Sequence, residues 1–219
     1  NATEAAQFQS YFKKHGRYTA GVEARYDPSL VSGADAHQAL AKGFTIGTRF
    51  HSAPVVRLGD AKPMQLGHTL KADGRWRLIA FAPASDEGQK GAGIAKLCEY
   101  TSTSLIPRFT PKGEDIDSVF DLRAVFQTSH REMKLEALPL LLLPRKGKYG
   151  LIDYEKAFCP DLTRGPDVFD LRGIDRIKGA LLVVRPDQFV AQLLPLDAFG
   201  DITDFFEKFL LPAQEIGAR

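Results

Sequence analysis

Apolar positions in the middle of the chain follow strand and helix periods in a regular order. The nearly continuous apolar run at 76–81 predicts a strand buried on both faces. Apolar residues at helical spacing over 94–98 predict a helix packed on that strand, and SVFDLRAVFQ at 118–127 predicts a second strand. REMKLEAL at 131–138 is rich in helix formers. The predicted order is therefore strand, helix, strand, helix.

The stretch GALLVVRPDQFVAQLLPL at 179–196 predicts the clearest hairpin of the chain. Strands predicted at 180–184 and 189–194 flank a bend. Pro186 fixes φ at the first central position of the turn, and the carboxylate of the next residue can accept a backbone N–H. Gln188 follows, at a position where glycine would be favoured.

Asp201 is predicted to cap a final helix that Pro212 ends. The apolar stripe of this helix consists of Ile202, Phe205, Phe206, Phe209 and Leu210. Parallel strands need helical crossovers and a hairpin adds an antiparallel strand, so we expect an α/β fold with a mixed sheet flanked by helices. An order that ends in hairpin and helix is that of the thioredoxin fold.

The beginning of the chain predicts a helix and an extended connector ahead of this sheet. Thr3 is predicted to cap a short helix that Gly16 ends, with Phe8, Tyr11 and Phe12 at helical spacing. Glycines and prolines interrupt residues 17–50, which we call the connector and expect to cross a surface in extended form. Two interpretations of its aromatic residues remain open: packing on their own domain, or docking on a partner.

Composition and charge exclude several classes of function. The 219 residues are 44% apolar, which suits one domain or one domain with an appendage. Lysine and arginine number 29 against 27 acidic residues, spread along the chain, so we expect no nucleic acid as partner. The longest apolar run, 140–143, is far shorter than the roughly 20 residues of a membrane helix, so we expect no membrane contact.

The first residues and the cysteines indicate the setting of the protein. NATEAAQFQSYFKKHG lacks the basic and then apolar order of a secretory signal. A chain without an initiator methionine is expected of a fragment or a processed protein. Cys98 and Cys159 form neither a CxxC pair nor a disulfide framework, which favours the cytoplasm.

The segment where thioredoxins carry their reactive cysteine contains no sulfur here. That cysteine follows the first central strand, where a helix N-terminus lowers its pKa, but residues 82–93 read APASDEGQKGAG. Gly179 stands where thioredoxins place a cis proline. Cys98 is expected in the core and Cys159 is expected to be more exposed. Thiol redox chemistry is therefore not predicted.

Other short motifs do not define a site. GAG at 91–93 does not directly follow a strand, as a dinucleotide-binding loop would. GDA at 59–61 resembles a flavin-contacting element but lies between a strand predicted at 55–58 and turns predicted at Pro63 and Gly67. Metal-ligand spacing is absent among the five histidines, which are His15, His37, His51, His68 and His130.

Arg185 and Asp187, at the bend of the predicted hairpin, are the remaining candidates. We expect them to hold the turn and face solvent, the alternative being a contact with a partner. No residue of the chain is assigned a catalytic, cofactor-binding or metal-binding role.

Several longer strings carry a resemblance to a known family. The most specific are ADGRWR at 72–77, DYEKAFCPD at 153–161 and RPDQ at 185–188. With TAGVEARYDPSLV, DSVFDLRAVFQ and IDRIKGALLVV, they make the chain resemble the C-terminal region of FAD-dependent phenol hydroxylases and 3-hydroxybenzoate hydroxylases. The likeness extends from about Tyr18 to Leu211.

The resemblance implies an accessory role for this chain. In that family the region is a thioredoxin-like domain without its cysteines, associated with dimerisation or with support of the catalytic part. NADPH reduces FAD in the parent enzymes, and the flavin then activates oxygen to hydroxylate a phenolic ring. Residues 1–43 would be the tail of the catalytic region with its connector, and residues 44–219 the thioredoxin-like domain.

The partners implied are the catalytic FAD-binding region and a second copy of the chain. The alternative hypothesis is an independent thioredoxin-like module, without redox cysteines, that recruits a partner through its sheet or hairpin. An enzyme acting through thiols is a third and more distant possibility.

Overall fold

The computed structural model describes residues 2–163 and 165–213 and arranges them around one seven-stranded sheet. The strands are β1 Pro54–Arg57, β2 Lys62–Gln65, β3 Trp76–Phe81, β4 Phe120–Val125, β5 Arg145–Lys146, β6 Leu151–Ile152, β7 Ala157–Pro160, β8 Ala180–Val184 and β9 Val190–Leu194. The helices are α1 Ala2–Thr19, α2 Gly93–Tyr100, α3 Ile106–Phe109, α4 Val168–Leu171 and α5 Phe199–Glu207. No helix in this part of the chain is both long and apolar enough to cross a membrane. Residues 214–219 of the predicted domain lie outside the described residues.

The strand order of the main sheet is β2-β1-β7-β4-β3-β8-β9, and β5 and β6 form a separate pair. Neighbours β3 and β4 run parallel, with Leu78 opposite Leu122, and β7 runs parallel to β4. The other pairs are antiparallel. The core order β4-β3-β8-β9, with a helical crossover between β3 and β4 and α5 after the hairpin, is that of the thioredoxin fold. The predicted mixed α/β sheet is therefore confirmed.

Alternation along β3 divides the core into two layers. Leu78 and Ala80 point to one side, where α2 and α5 pack; we call this side the helix face. Ile79 and Phe81 point to the other, which we call the connector face because the connector covers part of it. All six residues of β3 are buried, as its nearly continuous apolar pattern predicts.

An aromatic cluster fixes α5 to the helix face. The Trp76 ring packs edge-on to Phe206 at 5.2 Å and lies 5.1 Å from Phe209, measured between ring centroids. Such pairs contribute about 0.5–1.5 kcal/mol each beyond the area they bury. The predicted stripe thus forms the contact, although α5 begins at Phe199 and ends before Pro212. The prediction that Asp201 caps the helix is wrong, because a turn at 195–198 starts it earlier and places Asp201 in the first turn.

The first helix is longer than predicted. It runs from Ala2 to Thr19, so Thr3 and Gly16 both lie inside it and neither marks an end. A single glycine costs a helix only about 1 kcal/mol, which the residues on either side of Gly16 are able to offset. The chain leaves the helix at Gly21, whose φ of 67° is in the left-handed region.

The helix predicted at 131–138 is wrong, because this segment forms turns and one short 3₁₀ turn at Leu135–Ala137. Pro139 follows directly and disfavours helical backbone at the residue before it. Leu138 is accordingly extended, with φ −71° and ψ 145°. The segment is therefore too short for its helix propensity to offset the cost of starting a helix.

Pro63 lies in strand β2 and not in a turn, which corrects a second prediction. It pairs with Val56 in the antiparallel register of β1 and β2. Strand β2 forms an edge of the sheet, where a proline removes no ladder hydrogen bond if its nitrogen faces outward. Gly67 does lie in a turn, the 3₁₀ turn at Leu66–Thr69.

The connector covers the opposite edge of the sheet. Backbone N–H groups of Gly33 and Gly47 donate to the carbonyls of Ala191 and Val190 in β9, at 2.7 and 2.8 Å. Phe44 is buried in the connector face and stacks on Phe81 at 5.6 Å. Packing on the domain itself therefore accounts for this part of the connector, which covers the beginning of the β9 edge at Val190 and Ala191.

Candidate functional site

A buried carboxylate occupies the region where a thioredoxin carries its reactive cysteine. Asp86, in the loop between β3 and α2, is only 4% exposed. Its Oδ2 accepts a hydrogen bond from the backbone N–H of Ile94 in the first turn of α2 at 2.8 Å, and its Oδ1 accepts one from Gly88 at 2.9 Å. The N-terminus of a helix carries partial positive charge, so a carboxylate there is favourable. In redox enzymes the same end of the helix stabilises the reactive thiolate. The sequence prediction overlooked Asp86, although it lies inside the quoted loop.

Gly179 takes the place of the cis proline for a steric reason. Its φ of 68° is in the left-handed region, and a Cβ there would overlap the carbonyl oxygen of Phe81 and lie 3.0 Å from the Pro83 Cδ. The described residues contain no cis peptide bond. The backbone of β8 thus approaches the end of β3 directly.

Both cysteines are buried free thiols. Cys98 packs on the apolar side of α2, as predicted, and burial raises its pKa to about 12, with a smaller contribution from Asp86. Burial also raises the pKa of Cys159 to about 12. The prediction that Cys159 is more exposed is wrong, since β7 lies between β1 and β4 and the residue is fully buried. At neutral pH neither sulfur provides a thiolate nucleophile.

The two glycine motifs, GDA at 59–61 and GAG at 91–93, lie in a turn and at the start of a helix. Gly59–Ala61 forms the turn between β1 and β2, where the Asp60 carboxylate accepts from the guanidinium of Arg57 at 2.7 and 3.0 Å. Gly93 is the first residue of α2, and a loop of eleven residues, 82–92, separates it from β3. The pyrophosphate of a dinucleotide requires a glycine loop that directly follows a strand and opens a helix. The turn at 59–61 leads into strand β2 and opens no helix, and GAG does not directly follow a strand. Among the described residues, no three or more histidine, cysteine or acidic side chains are placed to hold a metal ion.

The bend of the hairpin is a docking point for the connector. Arg185 forms a two-pronged ion pair with Asp187, at 2.6 and 3.0 Å, as predicted for residues that hold the turn. Its guanidinium also lies 5.2 Å from the ring centre of Tyr26 in the connector and 5.7 Å from that of Phe189. The Asp187 side chain is 49% exposed, as predicted, but only 17% of the Arg185 side chain is exposed, so the prediction that Arg185 faces solvent is wrong. Cation–π contact with Tyr26 is the reason.

Gln188 explains why the bend does not use glycine. Its φ is 70°, which costs a residue with a side chain about 1 kcal/mol. Its Nε2 donates to the carbonyl of Leu70 at 2.6 Å, and its Oε1 accepts from Arg49 of the connector at 3.0 Å. Its own carbonyl accepts from the N–H of Phe50. A glycine would relieve the backbone but lose both side-chain bonds.

A buried network of charges lies at the opposite end of the parallel strands. Asp121 of β4 is fully buried, and its two oxygens contact Lys156 at 2.6 Å and Arg123 at 2.8 Å. Lys156 also contacts Asp117 at 2.6 Å. Burial by itself would raise the pKa of Asp121, but the charges of Arg123 and Lys156 outweigh it and hold the pKa at about 2.

The network has no catalytic geometry. Its charges are paired with each other, and it lies at the amino ends of β3 and β4, whereas ligands of open α/β sheets bind at the carboxyl ends. Lys146 and Asp153 connect the β5–β6 pair to it. The alternating charged positions 121 and 123 within a buried strand were the sequence signal that could have revealed it.

Apolar side chains of α1 form an exposed surface. Phe8, Tyr11 and Phe12 are 65%, 63% and 60% exposed. Phe8 and Phe12 lie one helical turn apart, with ring centres 5.7 Å from each other. A stripe of this kind on a helix is normally covered by another element.

These observations define a thioredoxin-fold domain whose thiol site is replaced by internal hydrogen bonds. Residues 24–214 match the family model described as the phenol hydroxylase C-terminal dimerisation domain, and the chain belongs to that family. The family resemblance inferred from the sequence is therefore confirmed.

The curated relatives that match the chain are longer than it is. It is 59% identical over 208 residues to 3-hydroxybenzoate 4-monooxygenase of Comamonas testosteroni, a match that covers 93% of this chain and 33% of that protein. It is 32% identical over 216 residues to the FAD-dependent monooxygenase terD of Aspergillus terreus, covering 96% of this chain and 35% of that protein. The chain thus spans about a third of the length of these relatives.

A solved structure of similar shape is a thiol:disulfide interchange protein from Bacteroides sp.. The superposition gives a TM-score of 0.46 with 15% sequence identity, and covers 78% of this chain and 93% of that one.

Proposed function

We propose that the chain is the accessory region of a FAD- and NADPH-dependent monooxygenase that hydroxylates a phenolic ring, and that it holds two copies of the enzyme together. The observation that carries this proposal is a fully formed thioredoxin core whose two thiols are buried, with pKa values of about 12. Such a core keeps the shape of a redox domain while offering no nucleophile. The domain would then contribute to the enzyme through the surfaces that it offers for contact.

The proposed division of the chain separates the part whose apolar surface is exposed from the part that packs on the sheet. We assign residues 1–43, with the connector as far as residue 43, to the tail of the catalytic region, and residues 44–219, which include the last part of the connector at 44–50, to the thioredoxin-like domain. The exposed stripe of Phe8, Tyr11 and Phe12 on α1 would pack against the catalytic region. The connector leads from that helix to the hairpin bend, where Gln188 and Arg185 hold it.

Flavin binding is assigned to the catalytic region and not to this chain. The loops described above do not fit a dinucleotide, so no residue of the chain is given a role in flavin chemistry. The activities named for the two curated relatives, a 3-hydroxybenzoate 4-monooxygenase and a FAD-dependent monooxygenase, support an aromatic hydroxylase as the parent.

Intact mass and a visible spectrum of the protein purified from its source test this proposal. We expect a mass about three times the 24.2 kDa of this chain, because the chain spans 33% of its relative, together with the absorption of an oxidised flavin. Addition of NADPH and a phenolic substrate should bleach that absorption, and oxygen should restore it. A colourless protein of about 24 kDa would instead support the independent binding module.

A further inference from the structure

A groove lined mainly by apolar side chains opens beside the second half of α2. Ala95 of α2, Ile116, Leu143 and Ile152 form part of its lining. The groove lies over the helix face, since its lining includes Cys98 and the residues beside it pack in that layer. The 3₁₀ turn Leu140–Leu142 beside the groove contacts β4, and two strands lie between β4 and β9, the strand to which the connector bonds.

Leu140 projects from the rim of this groove. It is 84% exposed, although the neighbouring Leu141 and Leu142 are buried. An exposed leucine directly beside an apolar groove leaves both surfaces in water, which costs free energy in proportion to the area. The same patch thus presents an apolar projection and an apolar recess.

Two opposite charges lie on the same groove. Glu99 and Arg145 both line it and both are exposed. Arg145 donates only to the carbonyl of Gly150, at 3.1 Å, and neither side chain forms an ion pair within the described residues. A surface with one free charge of each sign is complementary to a copy of itself.

We propose that this groove is where two copies of the chain meet. In a two-fold dimer each surface contact occurs twice, so Leu140 of each copy would enter the groove of the other. Glu99 of one copy would face Arg145 of the other. The proposal rests on the proposed pairing function and adds the surface that performs it.

The position of the connector favours a second copy over the catalytic region as occupant. The connector bonds to β9 through Gly33 and Gly47, at the edge of the sheet, and strands β8 and β3 separate β9 from β4, which the residues beside the groove contact. The exposed stripe of α1, which precedes the connector, is already available to the catalytic region. A stable dimer buries about 800 Å² on each partner, so the groove would be the centre of a larger contact.

Sedimentation of the 219-residue chain over a range of concentrations tests the surface. Leu140→Asp should raise the dimer dissociation constant at least about 30-fold, as expected for a central apolar contact. Ile177→Asp is the matched control, because Ile177 is 86% exposed but does not line the groove. It should leave the constant within about two-fold. Circular dichroism should show both variants folded.

Charge reversal provides a test that a folding defect would not imitate. Glu99→Arg and Arg145→Glu should each weaken the dimer, and the double variant should regain most of the loss because the contact returns with its signs exchanged. A wild-type dimer that is insensitive to Leu140→Asp and shows no rescue would overturn the surface while leaving pairing intact. A wild-type chain that stays monomeric at every concentration would overturn the pairing function as well.

Discussion

Lys156 and Asp121 form an ion pair of 2.6 Å with both side chains removed from water. Charges buried in this way are costly, and their removal from solvent is offset only by good partners. Lys156 has a second partner in Asp117, and Asp121 a second in Arg123. The pair therefore links β4 and the start of β7, two strands that are far apart in sequence.

Loss of the lysine should be strongly destabilising. Lys156→Met leaves Asp117 and Asp121 with less compensation in a buried setting, so we expect the free energy of unfolding to fall by about 3–5 kcal/mol. Urea denaturation measures the change. The control is Lys148→Met, at an exposed position, which should change stability by less than about 0.5 kcal/mol. Equal effects at the two positions would contradict this account of the network.

Acid should weaken the same network. The folded pKa of Asp121 is about 2, below its ordinary value of 3.8, so its contribution is complete above that ordinary value and is lost as pH falls through about 2. The pKa of Asp117 is also lowered: burial would raise it, but Lys156 and Lys146 prevail. We expect the free energy of unfolding to fall between pH 5 and pH 2. The destabilisation caused by Asp121→Asn, on the order of 2 kcal/mol from this shift, should shrink over the same range. A constant difference from pH 6 to pH 2 would refute the assignment.

Substitutions at the hairpin bend should separate backbone strain from side-chain bonding. Gln188→Ala loses the bonds to Leu70 and Arg49 and keeps the positive φ, so it should cost about 1–3 kcal/mol. Gln188→Gly loses the same bonds but relieves the backbone, and should cost about 1 kcal/mol less. Both variants should make the connector more sensitive to limited proteolysis. If the alanine variant were the more stable one, the strain argument would fail.

Gly179 should tolerate no side chain. Gly179→Ala adds a Cβ that overlaps the Phe81 carbonyl oxygen, so we expect a loss of about 2–4 kcal/mol in thermal or urea unfolding. Gly113→Ala is the matched control: its φ is also positive, at 95°, but no atom lies within 4 Å of the added carbon. It should cost only about 1 kcal/mol. Equal losses would show that the contact with Phe81 is not tight.

Long periodic segments were predictable from the sequence, and short segments were not. The nearly continuous apolar run of β3 and the stripe of α5 each specify an element and its buried side, because many residues agree. Strand β7, Ala157–Pro160, has four residues and includes a cysteine and a proline, so it carries almost no local signal. Its place depends on pairing with β1 and β4, which a local pattern does not contain.

The candidate site shows the same division. The sequence alone showed that no cysteine follows β3 and that a glutamine occupies the bend, where glycine would be favoured. The partners of Gln188 were not, because Leu70 and Arg49 are more than 100 positions away from it in the chain. Burial of Cys159 was missed for the same reason, since it follows from the strands on either side.

The central claim is that this chain retains a thioredoxin scaffold without its thiol chemistry. Thiol titration with a chromogenic disulfide reagent tests it most directly, on the native chain and again after unfolding in guanidinium. Burial and the raised pKa values of Cys98 and Cys159 predict almost no reaction within an hour in the native state, and two thiols per chain after unfolding. A cysteine that reacts within seconds in the native chain would contradict the claim.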